Sequence, residues 1–123
     1  MVEFGQLVGT WRLVRARMYT RDGDTSANMY GPDPNGVLLY APDGGVSATI
    51  QASEGDGDVS YAGLVSLVDG VLTHRVLVGD KRFPVGEELV RYVEFDEDGQ
   101  LVLTVRYPDG AVKFALVWRA VDA

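Results

Sequence analysis

Apolar residues in this chain recur at every second position over short runs, and glycine-rich turns separate the runs. In "LTHRVLV" (residues 72 to 78), Leu72, His74, Val76 and Val78 share one face, with Thr73, Arg75 and Leu77 on the other. Similar runs span 10 to 19, 36 to 41, 45 to 51, 59 to 68, 71 to 78, 88 to 95, 101 to 107 and 111 to 119. Six Asp-Gly dipeptides punctuate the chain, at Asp22, Asp43, Asp56, Asp69, Asp98 and Asp109. Asp-Gly favours tight hairpins because glycine takes positive φ freely and aspartate tolerates it. No segment sustains a helical period, although Phe4 to Val8 has room for one turn. About eight short strands in series predict an all-β, up-and-down antiparallel barrel, since closure removes exposed strand edges. The whole chain, 1–123, reads as one domain.

Counting across the turns assigns the faces. A two-residue turn at Asp69-Gly70 sets Val65 opposite His74 and Tyr61 opposite Val78. A loop over 79 to 86 then sets Val78 against Glu87 and His74 against Arg91. A three-residue turn at 97 to 99 brings Arg91 beside Val105. Residues opposed across antiparallel strands share a face. His74 and Arg91 are therefore expected together among Leu89, Val93, Phe95, Leu101, Leu103, Val105, Tyr107, Val112, Phe114, Leu116 and Trp118, with no Asp or Glu at an inward strand position.

That pairing is the main chemical signal. A buried arginine needs acceptors. The candidates are Tyr40, Tyr61, Tyr107, water, the loop acid Asp33, or an oxygen of a bound molecule. Two readings stand: a hydrogen-bonded plug inside a filled barrel, or donors aimed at a ligand. Under the second, Arg91 polarises a carbonyl or holds an oxyanion, and His74, kept neutral by its cationic neighbour, moves a proton. The expected ligand contacts are Tyr40, Tyr61, Tyr107, Val65, Val76, Leu89, Val93, Leu103, Val105, Phe114 and Met18. Loop 31 to 35, "GPDPN", with Tyr30 beside it, is a candidate lid or a plain connection.

Composition excludes several classes. The net charge of -7 gives no cationic footprint for nucleic acid or an anionic membrane. Arg12, Arg15 and Arg17 read as a solvated strand face. The chain has no cysteine and one histidine, which disfavours thiolate chemistry and a zinc or other transition-metal site. The acidic run at 53 to 58 lacks the distal glutamate of a calcium loop. No dinucleotide fingerprint, phosphate loop or serine elbow occurs, so no cofactor is expected. No apolar stretch is long enough to span a bilayer and no signal peptide is evident, which points to the cytoplasm. The expected partner is a small, largely apolar molecule with an acceptor oxygen, with a homodimer left open.

"VGTWRLV" is similar to the Gly-x-Trp signature of lipocalin and calycin barrels. The ordered series "GPDPNGVLLYAPDGGVS", "YAGLVSLVDG", "LTHRVLV", "FPVGEELVRYVEF" and "LVWRA" resembles the short bacterial lipocalin-like domain family over nearly the whole chain. The resemblance implies a calycin-type barrel with a cavity, in which Trp11 plugs one end and Arg119 packs across its ring. It departs from the family pattern at Arg75, where a second basic aromatic position often follows the histidine. Related barrels act as cyclases or isomerases in natural-product pathways, so a cyclase or isomerase and a non-catalytic carrier are the two functions it implies.

Overall fold

A computed structural model describes residues 1–22, 26–53 and 58–121. The Asp22-Gly23 and Asp56-Gly57 turns and the acidic run at 53 to 58 fall wholly or partly outside these residues. The strands are β1 (Gly9–Tyr19), β2 (Ser26–Asn28), β3 (Asn35–Tyr40), β4 (Gly45–Gln51), β5 (Val59–Val68), β6 (Val71–Gly79), β7 (Glu88–Phe95), β8 (Leu101–Arg106) and β9 (Val112–Ala120). All ladders are antiparallel, and pairing of β1 with β9 closes an eight-stranded barrel. The extra strand is β2. It pairs with Arg17 to Tyr19 of β1, while β3 pairs with Gly9 to Arg12, so two strands share one edge of β1.

Turn chemistry sets these pairings. Asp69 and Gly70 both have positive φ, 51° and 79°, and form the two-residue turn that aligns Val65 with His74. The turns at Asp43, Asp98 and Asp109 share another design. In each, the residue before the turn receives the N–H of the following glycine and donates its own N–H beyond it, as Tyr107 does with Gly110 and Ala111. Gly44, Gly99 and Gly110 take the left-handed conformation there, at φ 95°, 76° and 94°.

The alternation holds until a bulge interrupts it. Val14 is the extra residue in β1, Leu77 in β6 and Lys113 in β9. Each bulge inverts the faces beyond it. Ala16 thus becomes buried, while Val78 and Val112, expected inside, are 62% and 37% exposed. The β6–β7 register also differs from expectation: His74 pairs with Leu89, and Arg91 with Leu72. This shift of two residues leaves every side chain on its expected face, because the strand period is two. His74 and Arg91 become diagonal neighbours.

Gly63 shows how tightly the β6 bulge packs on β5. A Cβ at this position would lie 1.8 Å from the Arg75 carbonyl oxygen, so only glycine fits. Gly63→Ala is expected to lower unfolding stability by about 2 kcal/mol or more, the scale of overpacking against backbone, as read by urea denaturation.

The N-terminal segment covers one end of the barrel. A single 3-10 turn, Phe4–Gln6, leads to fully buried Leu7, whose carbonyl accepts the Trp11 indole N–H at 2.8 Å. Trp11 also tilts against Phe95, with ring centroids 6.2 Å apart, and Phe4 sits edge-on to Tyr40. Trp11 is thus packed beneath the N-terminal turn. Arg119 is not its partner. Trp11 pairs with Ala120, so Arg119 falls on the opposite face, exposed and across from Arg12. Arg119→Ala should change stability by no more than about 0.5 kcal/mol, the range for solvated positions, which thermal melting would check.

Candidate functional site

The barrel encloses a cavity of about 250 Å³. Its strand-borne walls are Leu38, Ala48, Ile50, Val59, Tyr61, His74, Arg91, Leu103, Phe114, Leu116 and Trp118; Met29, Tyr30 and Phe83 come from the connections. The polar side chains are few and grouped, and the described wall residues include no carboxylate.

At the centre of this group is the histidine. His74 is 1% exposed, and a tyrosine hydroxyl lies 2.7 Å from each ring nitrogen: Tyr40 at Nε2 and Tyr61 at Nδ1. The strands deliver this arrangement directly. Tyr40 ends β3, Tyr61 and His74 lie on paired strands β5 and β6, and all three project inward. Burial, and secondarily the charge of Arg91, pushes the His74 pKa down to about 3. Burial raises the Tyr61 hydroxyl to about 12 and Tyr40 well above its ordinary value. At neutral pH the ring is uncharged and both phenols keep their hydrogens.

Arg91 reaches the same cavity from β7. Its Nη1 donates to the Val90 carbonyl at 3.0 Å, and its guanidinium carbon lies 5.6 Å from the centroid of the Phe114 ring. Among the described residues it has no carboxylate partner. Asp33, the loop acid considered as a partner, is exposed, and its backbone N–H is bonded to the Ser53 hydroxyl. Burial lowers the Arg91 pKa, while Tyr61, Tyr40, Tyr30 and Glu87 oppose the shift; a guanidinium starts so high that it stays charged. Trp118 has an unusual status too. It is 2% exposed, and its indole N–H meets no acceptor among the described residues.

The expected ligand contacts divide into three groups. Tyr61, Leu103 and Phe114 reach the cavity surface with His74 and Arg91. Tyr40, Val76, Leu89 and Val93 are buried but stand behind that surface, packed in the barrel wall, and half-buried Val65 and Val105 also lie off it. Met18 and Tyr107 are the clearest corrections. Met18 pairs with Phe114 where β1 meets β2 and is 46% exposed. Tyr107 follows the end of β8, donates its hydroxyl to the Tyr19 carbonyl at 3.0 Å, and packs against Arg21 and Lys113.

The sequence reading did not single out Met29, Tyr30, Leu38, Ala48, Ile50, Val59 or Phe83 as ligand contacts. For Leu38, Ala48 and Ile50 the signal was present, since they alternate in phase with Tyr40 or its partners. For Met29, Tyr30 and Phe83 it was not, because loops carry no period. None of residues 31 to 35 lies on the cavity surface. That loop is held at its ends, with Tyr30 accepting from Ser53 and Asp33 donating to it, so it serves as a connection.

A closed antiparallel barrel around a mainly apolar cavity with a few convergent polar groups is a small-molecule-binding architecture. The sequence match narrows the class: residues 8–57, which hold β1 to β4, match the lipocalin-like domain family. Together with the closed barrel, that match supports a lipocalin-like barrel. No curated protein matches the chain. Among the described residues, no helix is long and apolar enough to cross a membrane.

Proposed function

We propose that this barrel binds a compact, largely apolar metabolite through an acceptor oxygen placed at Arg91 and Tyr61, and acts on it as a cofactor-independent cyclase or isomerase. One observation carries the reading: a guanidinium on the cavity surface has a backbone carbonyl as its acceptor and, among the described residues, no carboxylate in contact with it. In a mainly apolar enclosure, such a donor is unused capacity for holding a ligand oxygen. Cyclisation and isomerisation rearrange a single molecule and consume no co-reactant, so a cavity supplying shape, one cation and the Tyr61 and Tyr30 phenols has the needed parts.

The reading changes one assignment. His74 was expected to exchange a proton with the ligand, yet both of its nitrogens face tyrosine hydroxyls. Its role here is to position Tyr61. The group that meets the ligand is the phenol, beside Arg91.

Cavity size bounds the ligand. A dry cavity of about 150 Å³ accommodates benzene; on that scale, about 250 Å³ suits roughly ten non-hydrogen atoms. A carrier would need the same cavity, so the test must follow chemistry. Metabolites that co-purify with the protein are extracted, identified and returned to ligand-free protein. Conversion to an isomer of equal mass is the expected result. Binding without conversion would establish the carrier instead, and no ligand with no shift in melting temperature would leave a filled barrel used in assembly.

A further inference from the structure

We infer that the cavity is built for an anionic oxygen head group, a monocarboxylate on a compact apolar body, and that the Tyr40–His74 pair turns the Tyr61 hydroxyl into one of its donors. The inference rests on the binding reading above and specifies its ligand.

The argument is a count of hydrogens. A neutral imidazole has one N–H and one bare nitrogen. Tyr40, His74 and Tyr61 together carry three polar hydrogens, and the two contacts to the ring use two of them. The spare hydrogen belongs to one tyrosine or the other. If the proton is on Nε2, the ring donates to Tyr40 and accepts from Tyr61, and the spare hydrogen is on Tyr40. Tyr40 is 1% exposed, off the cavity surface and packed edge-on by Phe4, and its hydroxyl has no second partner among the described residues. A sealed donor without an acceptor is costly. If the proton is on Nδ1, Tyr40 donates to Nε2, Nδ1–H donates to the Tyr61 oxygen, and the spare hydrogen is on Tyr61. Tyr61 borders the cavity, where a ligand can accept it. The second arrangement leaves no hydrogen stranded in the wall.

Two further donors belong to the same walls. Arg91 has N–H groups beyond the one given to Val90, and Tyr30 brings a second phenol to the cavity surface. Three donor side chains, Arg91, Tyr61 and Tyr30, one of them cationic, face a space that has no acid among its described wall residues. The complement is a group that only accepts and carries negative charge. An alcohol brings a hydroxyl hydrogen that itself needs an acceptor, and an amine adds a second positive charge beside Arg91. A carboxylate has neither fault.

Octanoate has ten non-hydrogen atoms and matches the cavity size, so sodium octanoate, octan-1-ol and octylamine are suitable probes in calorimetry at pH 7. Octanoate is expected to bind at least tenfold more tightly than octanol, and octylamine not measurably. Tyr61→Phe should weaken octanoate binding about tenfold. Equal or weaker binding of octanoate relative to octanol would overturn the anionic preference while leaving the binding reading intact. If none of the three binds, the binding reading itself falls, and this inference with it. The donor assignment has its own test in the wild-type protein, independent of any ligand or variant. With a single histidine in the chain, ¹⁵N-histidine labelling gives an unambiguous ring spectrum. An Nδ1–H tautomer is expected; an Nε2–H tautomer would remove Tyr61 as the donor.

Discussion

His74→Ala should lower the unfolding free energy by about 3 to 5 kcal/mol, the range for breaking a buried polar network and leaving a void behind it. Two costs combine. The hydroxyls of Tyr40 and Tyr61 both lose their ring partner, and a buried polar group left unpaired costs about 1 to 3 kcal/mol. The ring is also among the largest fully buried side chains, so its removal leaves space that the surrounding strands cannot readily close. Guanidinium chloride denaturation, with far-UV circular dichroism as the readout, measures the loss. A change below 1 kcal/mol would mean that the two phenols find other partners easily, and the cluster would lose its structural standing.

The same residue gives a pH dependence whose sign is fixed by the direction of its shift. The folded pKa, about 3, lies below the ordinary imidazole value of 6.5. Between those values the unfolded chain holds a proton on His74 and the folded protein does not. Stability from this site is therefore fully present above pH 6.5 and is lost as pH falls toward 3, by about 1.4 kcal/mol per unit. That slope should vanish in His74→Ala, and the difference between the two proteins' pH profiles isolates it from the carboxylates.

Arg91→Met is expected to behave oppositely. Among the described residues no carboxylate lies within salt-bridge distance of its charge, so a flexible apolar side chain of similar length removes a desolvation cost without orphaning a contacting ionic partner. The folded protein without ligand should be unchanged or more stable, by up to about 1 to 4 kcal/mol. Affinity for the co-purifying molecule should fall about a hundredfold, equivalent to about 2.7 kcal/mol, because the strongest donor on the cavity surface is gone. Denaturation with and without that molecule reads both effects on one sample. A variant that is strongly destabilised yet still binds would mark Arg91 as a structural plug of a filled barrel, and the ligand role would pass elsewhere.

How much of this was legible beforehand follows from the range of each interaction. Strand positions and the barrel topology are written in local terms: alternating residues, and Asp-Gly turns that close between neighbouring strands. The shared face of His74, Arg91 and Tyr61 follows from the same period, and for that reason it survived a register error of two residues between β6 and β7. The face of Val78 did not survive, because one extra residue, Leu77, enters the ladder where Gly63 lets two backbones approach. The cavity contacts of Tyr30 and Phe83 had no local signal either.

By itself, then, the sequence determined that the chain forms a closed antiparallel barrel and that an imidazole, a guanidinium and a tyrosine face its interior, since periods and turns act over a few residues. Only the tertiary structure decided the rest: that both nitrogens of His74 are taken by phenols, that Tyr40 is sealed in the wall while Tyr61 meets the cavity, that Met18, Tyr107 and Arg119 stand outside it, and that the buried Trp118 N–H finds no acceptor among the described residues. Those outcomes depend on bulges and on contacts between residues distant in the chain, where single-residue shifts and packing across the barrel, more than local preference, set where each side chain ends.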